Sequence, residues 1–200
     1  LKAFSNYETA KKNANYEGSV QLPEGAYVCK IMATKYTEPS GDKSGQIAIQ
    51  FDVIEGEYKD FFRKQYDANQ NEDKKWKGKA TIWEPRDDGS EKDDWTKNAF
   101  ARWTNAIEDS NPGYSWDWDE SKWKGKIVGI LFGKVGTVIE GKEIEYTEAS
   151  RPLSVDKVRA GDYKPAKFRK KNGYSGNGSG GASNDGFMEP PKGEEEEIPF

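Results

Sequence analysis

The 200-residue chain contains no histidine and a single cysteine, Cys29. That scarcity excludes His/Cys zinc centres, Ser-His-Asp and Cys-His nucleophile machinery, and any disulfide framework. Cys29 lies between Tyr27 and Ile31 in a strand-like run and reads as a small buried hydrophobe. No stretch approaches 18 consecutive apolar residues, so a membrane span is not expected. The opening LKAFSNYETAKKNANYEG lacks the apolar centre of a signal peptide, and the expected location is cytoplasmic. Only 34% of the residues are hydrophobic, which is enough for one ordinary domain accompanied by unstructured chain but not for a two-domain enzyme.

Aromatic residues, by contrast, are plentiful at 13%, with seven Trp and ten Tyr. So many rings exceed the needs of a modest core, and some are expected to face solvent as binding groups. The net charge of −4 is unevenly spread. Residues 172–200 hold six acidic side chains against Lys192 alone, a local −5, which leaves +1 on residues 1–171. Within the body, residues 151–171 carry eight basic side chains against Asp156 and Asp162, a local +6. A binding surface for an anionic polymer is therefore compatible with the overall acidity.

Periodicity predicts a mainly β domain. After a polar arm over residues 1–20, LPEG turns into a strand, AYVCKIMATKYTE, with apolar residues on both faces. QIAIQFDVI alternates cleanly, with Ile47, Ile49, Phe51 and Val53 on one face and Gln46, Gln50 and Asp52 on the other. FFRKQYD reads as a third strand, and Lys79–Glu84 as a short strand within an excursion, with Ala80 and Ile82 toward the core and Lys79, Thr81 and Trp83 opposite. DDWTKNAFARWTNAIEDSNPG predicts the one helix, capped by Ser90, Asp93 or Asp94, anchored by Trp95, Ala99, Trp103 and Ala106, and ended by Asn-Pro-Gly. IVGILFGKVG and EIEYTEASRP complete the set. Strand, strand, strand, helix, strand, strand is the element order of an OB-fold, a five-stranded Greek-key barrel, here with an inserted hairpin. That domain is expected over residues 21–165, followed by a linker over 166–193 that is first basic, then rich in Gly and Ser. As a flexible coil, residues 172–193 would reach roughly 25 Å.

The pentapeptide KWKGK occurs twice, at Lys75–Lys79 and Lys122–Lys126. Single strands of nucleic acid are held by cations along the phosphates and by rings beneath the bases. The preferred site is Lys75, Trp76, Lys77, Lys79 and Trp83 with Arg63, Lys64 and Tyr66 from FFRKQY, and with Lys122, Lys124 and Lys126 as neighbours. Trp76, among charges in a turn, is expected to be exposed, whereas Trp123 is expected to begin a buried strand face with Ile127 and Leu131. For Trp83 a core placement and a solvent-facing one fit equally well.

The chain ends EEEEIPF after the Gly/Ser-rich linker. This end resembles the C-terminal tip of bacterial single-stranded DNA-binding proteins. The body, from LPEGAYVCKI through QFDVIEGEYKDFF to WKGKIVGILFG and ASRPLSVDKVRAG, resembles a family of bacteriophage proteins that bind single-stranded DNA during replication and recombination. The resemblance implies binding of single-stranded DNA in the host cytoplasm without a cofactor. It also implies recruitment of a helicase, nuclease or recombination mediator through Glu194, Glu195, Glu196, Glu197, Ile198, Pro199 and Phe200. Physically, Phe200 offers a ring and a carboxylate to an apolar pocket rimmed by cations, Pro199 restricts its approach, Ile198 packs beside it, and the four glutamates steer. Bacterial proteins with this tip are tetramers, but the body follows the phage family, so homo-oligomerisation stays open.

Two alternatives compete with this reading. A metal-dependent nuclease would use carboxylates and a Glu-x-Lys pair, and Glu57/Lys59, Glu72/Lys74, Glu120/Lys122 and Glu140/Lys142 all match. In a chain that is 33% charged such matches discriminate little, and Asp117, Asp119 and Glu120 in SWDWDES add little to them. An adaptor without DNA contact would use the tip and the tryptophans to join proteins.

Overall fold

The computed structural model describes Ser5, Tyr7 and residues 20–41 and 43–176. Six strands form one sheet: β1 (Gly25–Thr37), β2 (Gln46–Val53), β3 (Lys79–Trp83), β4 (Ile127–Ile139), β5 (Lys142–Leu153) and β6 (Arg169–Lys170). Among the described residues they are accompanied by the helices α1 (Phe61–Ala68), α2 (Asp93–Ser110) and α3 (Val155–Ala160), with a 3-10 turn at Glu120–Trp123. The sheet order is β3-β2-β1-β4-β5, antiparallel throughout, while β6 runs parallel to β4 at Val135 and Gly136. Among the described residues β3 and β5 do not pair, so the sheet is open at that seam.

Alternation places one face of the sheet in the core. Ile47, Ile49, Phe51 and Val53 of β2 are buried with Cys29 and Ile31 of β1, Ile82 of β3, and Val128, Ile130 and Phe132 of β4. Helix α2 covers this core with Thr96, Phe100, Trp103, Ile107 and Ser110. The expected anchors Trp95 and Ala99 are only half-buried, because Phe100 and Ile107 supply the bulk that a small Ala99 cannot. The Asn111 carboxamide then ties the helix end to β4, donating to Ile127 O at 2.7 Å and accepting from Ile127 N at 3.1 Å. The first turn of α2 is tied down by Asp93, whose carboxylate accepts from Gly89 N at 2.9 Å.

The segment FFRKQYD, read above as a third strand, is the helix α1. Phe62 inserts edge-on against Phe51, with centroids 5.7 Å apart, and stacks on Phe132 at 6.2 Å with 29° between the planes. The capping position, Asp60, adopts φ 59° and offers no side-chain bond. Asp52 caps the helix from across the chain, accepting from Phe62 N at 3.0 Å and Arg63 N at 3.1 Å as well as from Val53 N at 2.9 Å. Burial pushes the Asp52 carboxyl above the usual range, against these three N–H groups, which pull it down. A period of two in Phe62, Lys64 and Tyr66 was thus outweighed by tertiary contacts that only the fold supplies.

The open seam is blunted by the chain just before β1. Gln21 mimics a strand against β5, accepting from Thr147 N at 3.1 Å, while Leu22 is buried and its carbonyl accepts from the Thr147 hydroxyl. Val20 O accepts from Gln65 of α1 at 2.8 Å. At the other end, the packed chain passes the boundary expected at 165 and continues to Gly176. Ala166 lies against Gly133, Phe168 and Tyr174 lie against Gly136, and Arg169 and Lys171 both pair with Glu148. Side chains at these two glycines would occupy the space the strap fills.

Two phenols mark the packing of the body. Tyr27 donates to Pro23 O at 2.9 Å with its ring edge-on to Tyr58 and Phe132, and burial pushes its pKa up to about 12. The Tyr174 hydroxyl donates to Glu145 at 2.5 Å, and this bond carries its pKa to about 12 as well. A raised folded pKa stabilises the fold fully below the ordinary phenol value of 10.0 and loses that contribution as pH climbs through about 12. Ultraviolet titration should therefore show a late tyrosinate step that Tyr27→Phe diminishes; a wild-type curve complete well before pH 12 would contradict the packing.

Candidate nucleic-acid interface

The face of β1, β2 and β3 turned away from the core is built in three cross-strand rows. Thr37, Gln46 and Trp83 form one, Lys35, Ala48 and Thr81 the next, and Ala33, Gln50 and Lys79 the third. Lys35, Thr37, Lys79 and Thr81 are exposed, and Gln46, Gln50 and Trp83 are half-buried. An indole, two ammonium groups and two carboxamides therefore share one solvent-facing surface. Lys35 comes from the long first strand, where the change of register between Ile31 and Ala33 reverses the parity. Nothing in the amino-acid pattern locates that bulge, and Lys35 was not among the expected site residues.

The other expected residues fall into two clusters. At the start of β3, the Trp76 indole packs against the core and donates to Phe51 O at 3.0 Å and Gly78 O at 3.1 Å. It is half-buried rather than the exposed ring anticipated from its charged neighbours, because β2 supplies a carbonyl for its N–H. Tyr66 of α1 lies 5.8 Å from it, and the Lys74 ammonium sits 4.4 Å over the Tyr66 ring. Arg63, Lys64, Lys75 and Lys77 are exposed around this pair, with the Lys64 ammonium on Lys59 O at 2.8 Å. Trp83 stands at the far end of β3, about 13 Å from Lys79 at the rise of an extended strand.

The second KWKGK copy lies beside β1, where Gly125 N donates to Ile31 O at 2.8 Å and Ile31 N donates to Lys126 O at 2.9 Å. Trp123 is fully buried, as expected, but in the 3-10 turn that precedes β4. Lys122 pairs with Asp117 and Asp119, and the Lys126 ammonium lies 4.6 Å over the Tyr114 ring, so of the three cations Lys124 is the one that projects without a described partner. The two copies also need their glycines for different reasons. A side chain at Gly78 would overlap Phe51 O and the Phe62 ring, whereas Gly125 has open space but φ +86°.

The basic run at 151–171 is partly neutralised. Arg159 forms a two-point contact with Glu55, at 2.6 and 3.2 Å, and Arg151 donates to Lys164 O at 2.9 Å. Two of the three carboxylates of SWDWDES are likewise engaged: Asp119 accepts from Ser121 N at 3.1 Å and Asp117 pairs with Lys122. Among the described residues no group of three His, Cys, Asp or Glu side chains is placed to hold a metal ion. No helix of the described residues is long and apolar enough to cross a membrane. The tip, Glu194–Phe200, lies outside the described residues, as do residues 177–193. In comparison with known proteins, no family model and no curated protein matches the chain.

Proposed function

We propose that this protein binds single-stranded DNA on the outer face of β1, β2 and β3, as an OB-fold-type barrel does. The observation that carries the reading is the arrangement of Lys35, Lys79, Gln46, Gln50 and Trp83 on one exposed sheet face. Two further features support it. The order β3-β2-β1-β4-β5, with α2 inserted between β3 and β4, suits a partly open five-stranded barrel, whose second and third strands are the usual oligonucleotide face. Arg63, Lys64, Lys75 and Lys77 extend the cationic surface past the start of β3. Binding would be indifferent to sequence, because every base has a stacking face and the lysines contact phosphate. The acidic tip would recruit replication, recombination or repair proteins, as its resemblance implies.

The test is a titration of the full chain with oligo-dT followed by tryptophan emission. Stacking on Trp83 should quench the emission. If four to six phosphates are contacted, the slope of log affinity against log salt should be about −3 to −4. Emission that ignores oligo-dT at low salt would leave the protein-joining adaptor as the better reading, and magnesium-dependent cleavage of the oligonucleotide would favour the nuclease.

A further inference from the structure

The outer side of the sheet extends one row beyond the three that carry Lys35, Lys79 and Trp83. Gln46, Ala48, Gln50 and Asp52 share one parity of β2, and on the far side of the β1 bulge Lys30 stands opposite Asp52, with Ile127 of β4 on its other flank. The alternate residues Cys29, Ile31, Phe51, Val53 and Val128 belong to the core, so Lys30 and Asp52 lie on the same outer face as Gln50 and Gln46. From Gln46 to Asp52 this face spans about 20 Å at the rise of an extended strand.

Two cations meet at this fourth row. Lys30 is exposed on β1, and Arg63 is exposed on α1 with its backbone N–H donating to Asp52 at 3.1 Å, so the two stand on either side of one buried carboxylate. Neither the Lys30 ammonium nor the Arg63 guanidinium has a partner among the described residues. The nearest carboxylates are already engaged: Asp52 accepts three backbone N–H groups and Glu55 holds Arg159. In the turn ahead of α1, Glu57 and Asp60 stand against Lys59 and Lys64, which leaves Lys30 and Arg63 in excess. Beyond them the outer face is covered. A side chain at Gly129, which pairs with Val28, would overlap Val158 of α3, and the two-point contact of Arg159 with Glu55 clamps that helix in place.

Given DNA binding on this sheet face, as read above, we propose that Lys30 and Arg63 form its phosphate-holding end. A single strand stacks a base on Trp83, runs lengthwise over β1 and β2, and seats a phosphate between Lys30 and Arg63, where α3 blocks further travel. The uncovered length is short. Its capacity lies near the lower end of the about 4–16 nucleotides usual for one such barrel.

Anisotropy of labelled oligo-dT with the full chain, followed across salt, tests this. Lys30→Ala/Arg63→Ala should lower affinity roughly twentyfold at about 0.1 M salt and make the salt slope shallower by about 1.4, two contacts at about 0.7 each. Tryptophan quenching at saturation should match the wild type, because Trp83 is untouched. Lys30→Gln alone, remote from the backbone bonds that cap α1, should carry half of the change in slope, so a disturbed helix cannot account for it. Lys30→Arg/Arg63→Lys keeps both charges and should keep the wild-type slope. As a control, Arg102→Ala/Lys142→Ala removes the same charge from exposed positions on α2 and at the start of β5, and should move the slope by less than about 0.3. An unchanged slope in Lys30→Ala/Arg63→Ala overturns the proposal, and so does an equal change in the control pair, which would reveal a general effect of net charge. Loss of quenching in the Lys30/Arg63 variants would place the defect at Trp83 and overturn it as well. A wild type that ignores oligo-dT at low salt removes the sheet-face reading and the phosphate seat together, whereas binding with the slope unmoved removes the seat alone.

Discussion

Oligo-dT affinity should fall by roughly a thousandfold in the triple variant Lys35→Glu/Lys79→Glu/Trp83→Ala, the indole accounting for about 2 kcal/mol and the charge reversals for the remainder. The three positions occupy neighbouring rows of one sheet face, and none contributes to the core cluster. Fluorescence anisotropy of a labelled oligonucleotide would measure the loss, with thermal melting as a control for folding. The salt slope should become shallower as well, by about 0.7 for each phosphate contact removed. Lys122→Glu is the informative comparison: Lys122 is held by Asp117 and Asp119, and its replacement should cost far less. An affinity within about threefold of wild type for the triple variant would remove this sheet face from the proposed function.

Trp123→Ala should be the most damaging single change to stability, at about 4 kcal/mol, because the whole indole is buried between β1, β4 and Trp116. Against the about 5–15 kcal/mol typical of a domain, that removes a quarter or more of the stability and should lower the melting temperature accordingly. Trp123→Phe should cost markedly less than Trp123→Ala, since a phenyl ring refills most of the buried space. Trp76→Ala should cost less than Trp123→Ala, because Trp76 is half-buried and Tyr66 and Lys74 can settle into part of the space. Urea denaturation of the three variants would rank them. Equal losses at Trp76 and Trp123 would show that the two copies of KWKGK are structurally equivalent, contrary to their different burial.

Much of this architecture is legible in the amino-acid pattern. The alternation in QIAIQFDVI corresponds to β2 with its four inward side chains, and Ala80 and Ile82 face inward from β3 as their parity requires. The long helix lies where its acidic start and Asn-Pro-Gly end place it. Such features are local: a strand with one buried face must alternate, and a helix must satisfy its terminal groups. The solvent face carrying Lys79, Thr81 and Trp83 follows from the same parity.

The departures occur where distant groups determine the outcome. FFRKQYD is helical because Asp52 caps it and Phe51 and Phe132 receive Phe62, and none of these partners is a sequence neighbour. Trp76 turns inward because β2 offers its carbonyl, and the basic strap stays packed to Gly176 because Glu148 and the glycines of β4 accept it. Trp118 reaches solvent while Trp123, five residues further along, is fully buried, a difference that the charged residues flanking both rings do not mark.

By itself, the order of residues determined the β character, the core face of each regular strand, the position of α2 and the exclusion of histidine and disulfide chemistry. Tertiary structure decided which rings reach solvent, which lysines are neutralised, and which cations share a surface with an indole. Backbone periodicity is set by nearest neighbours along the chain, whereas burial and charge pairing depend on groups brought together only when the sheet assembles.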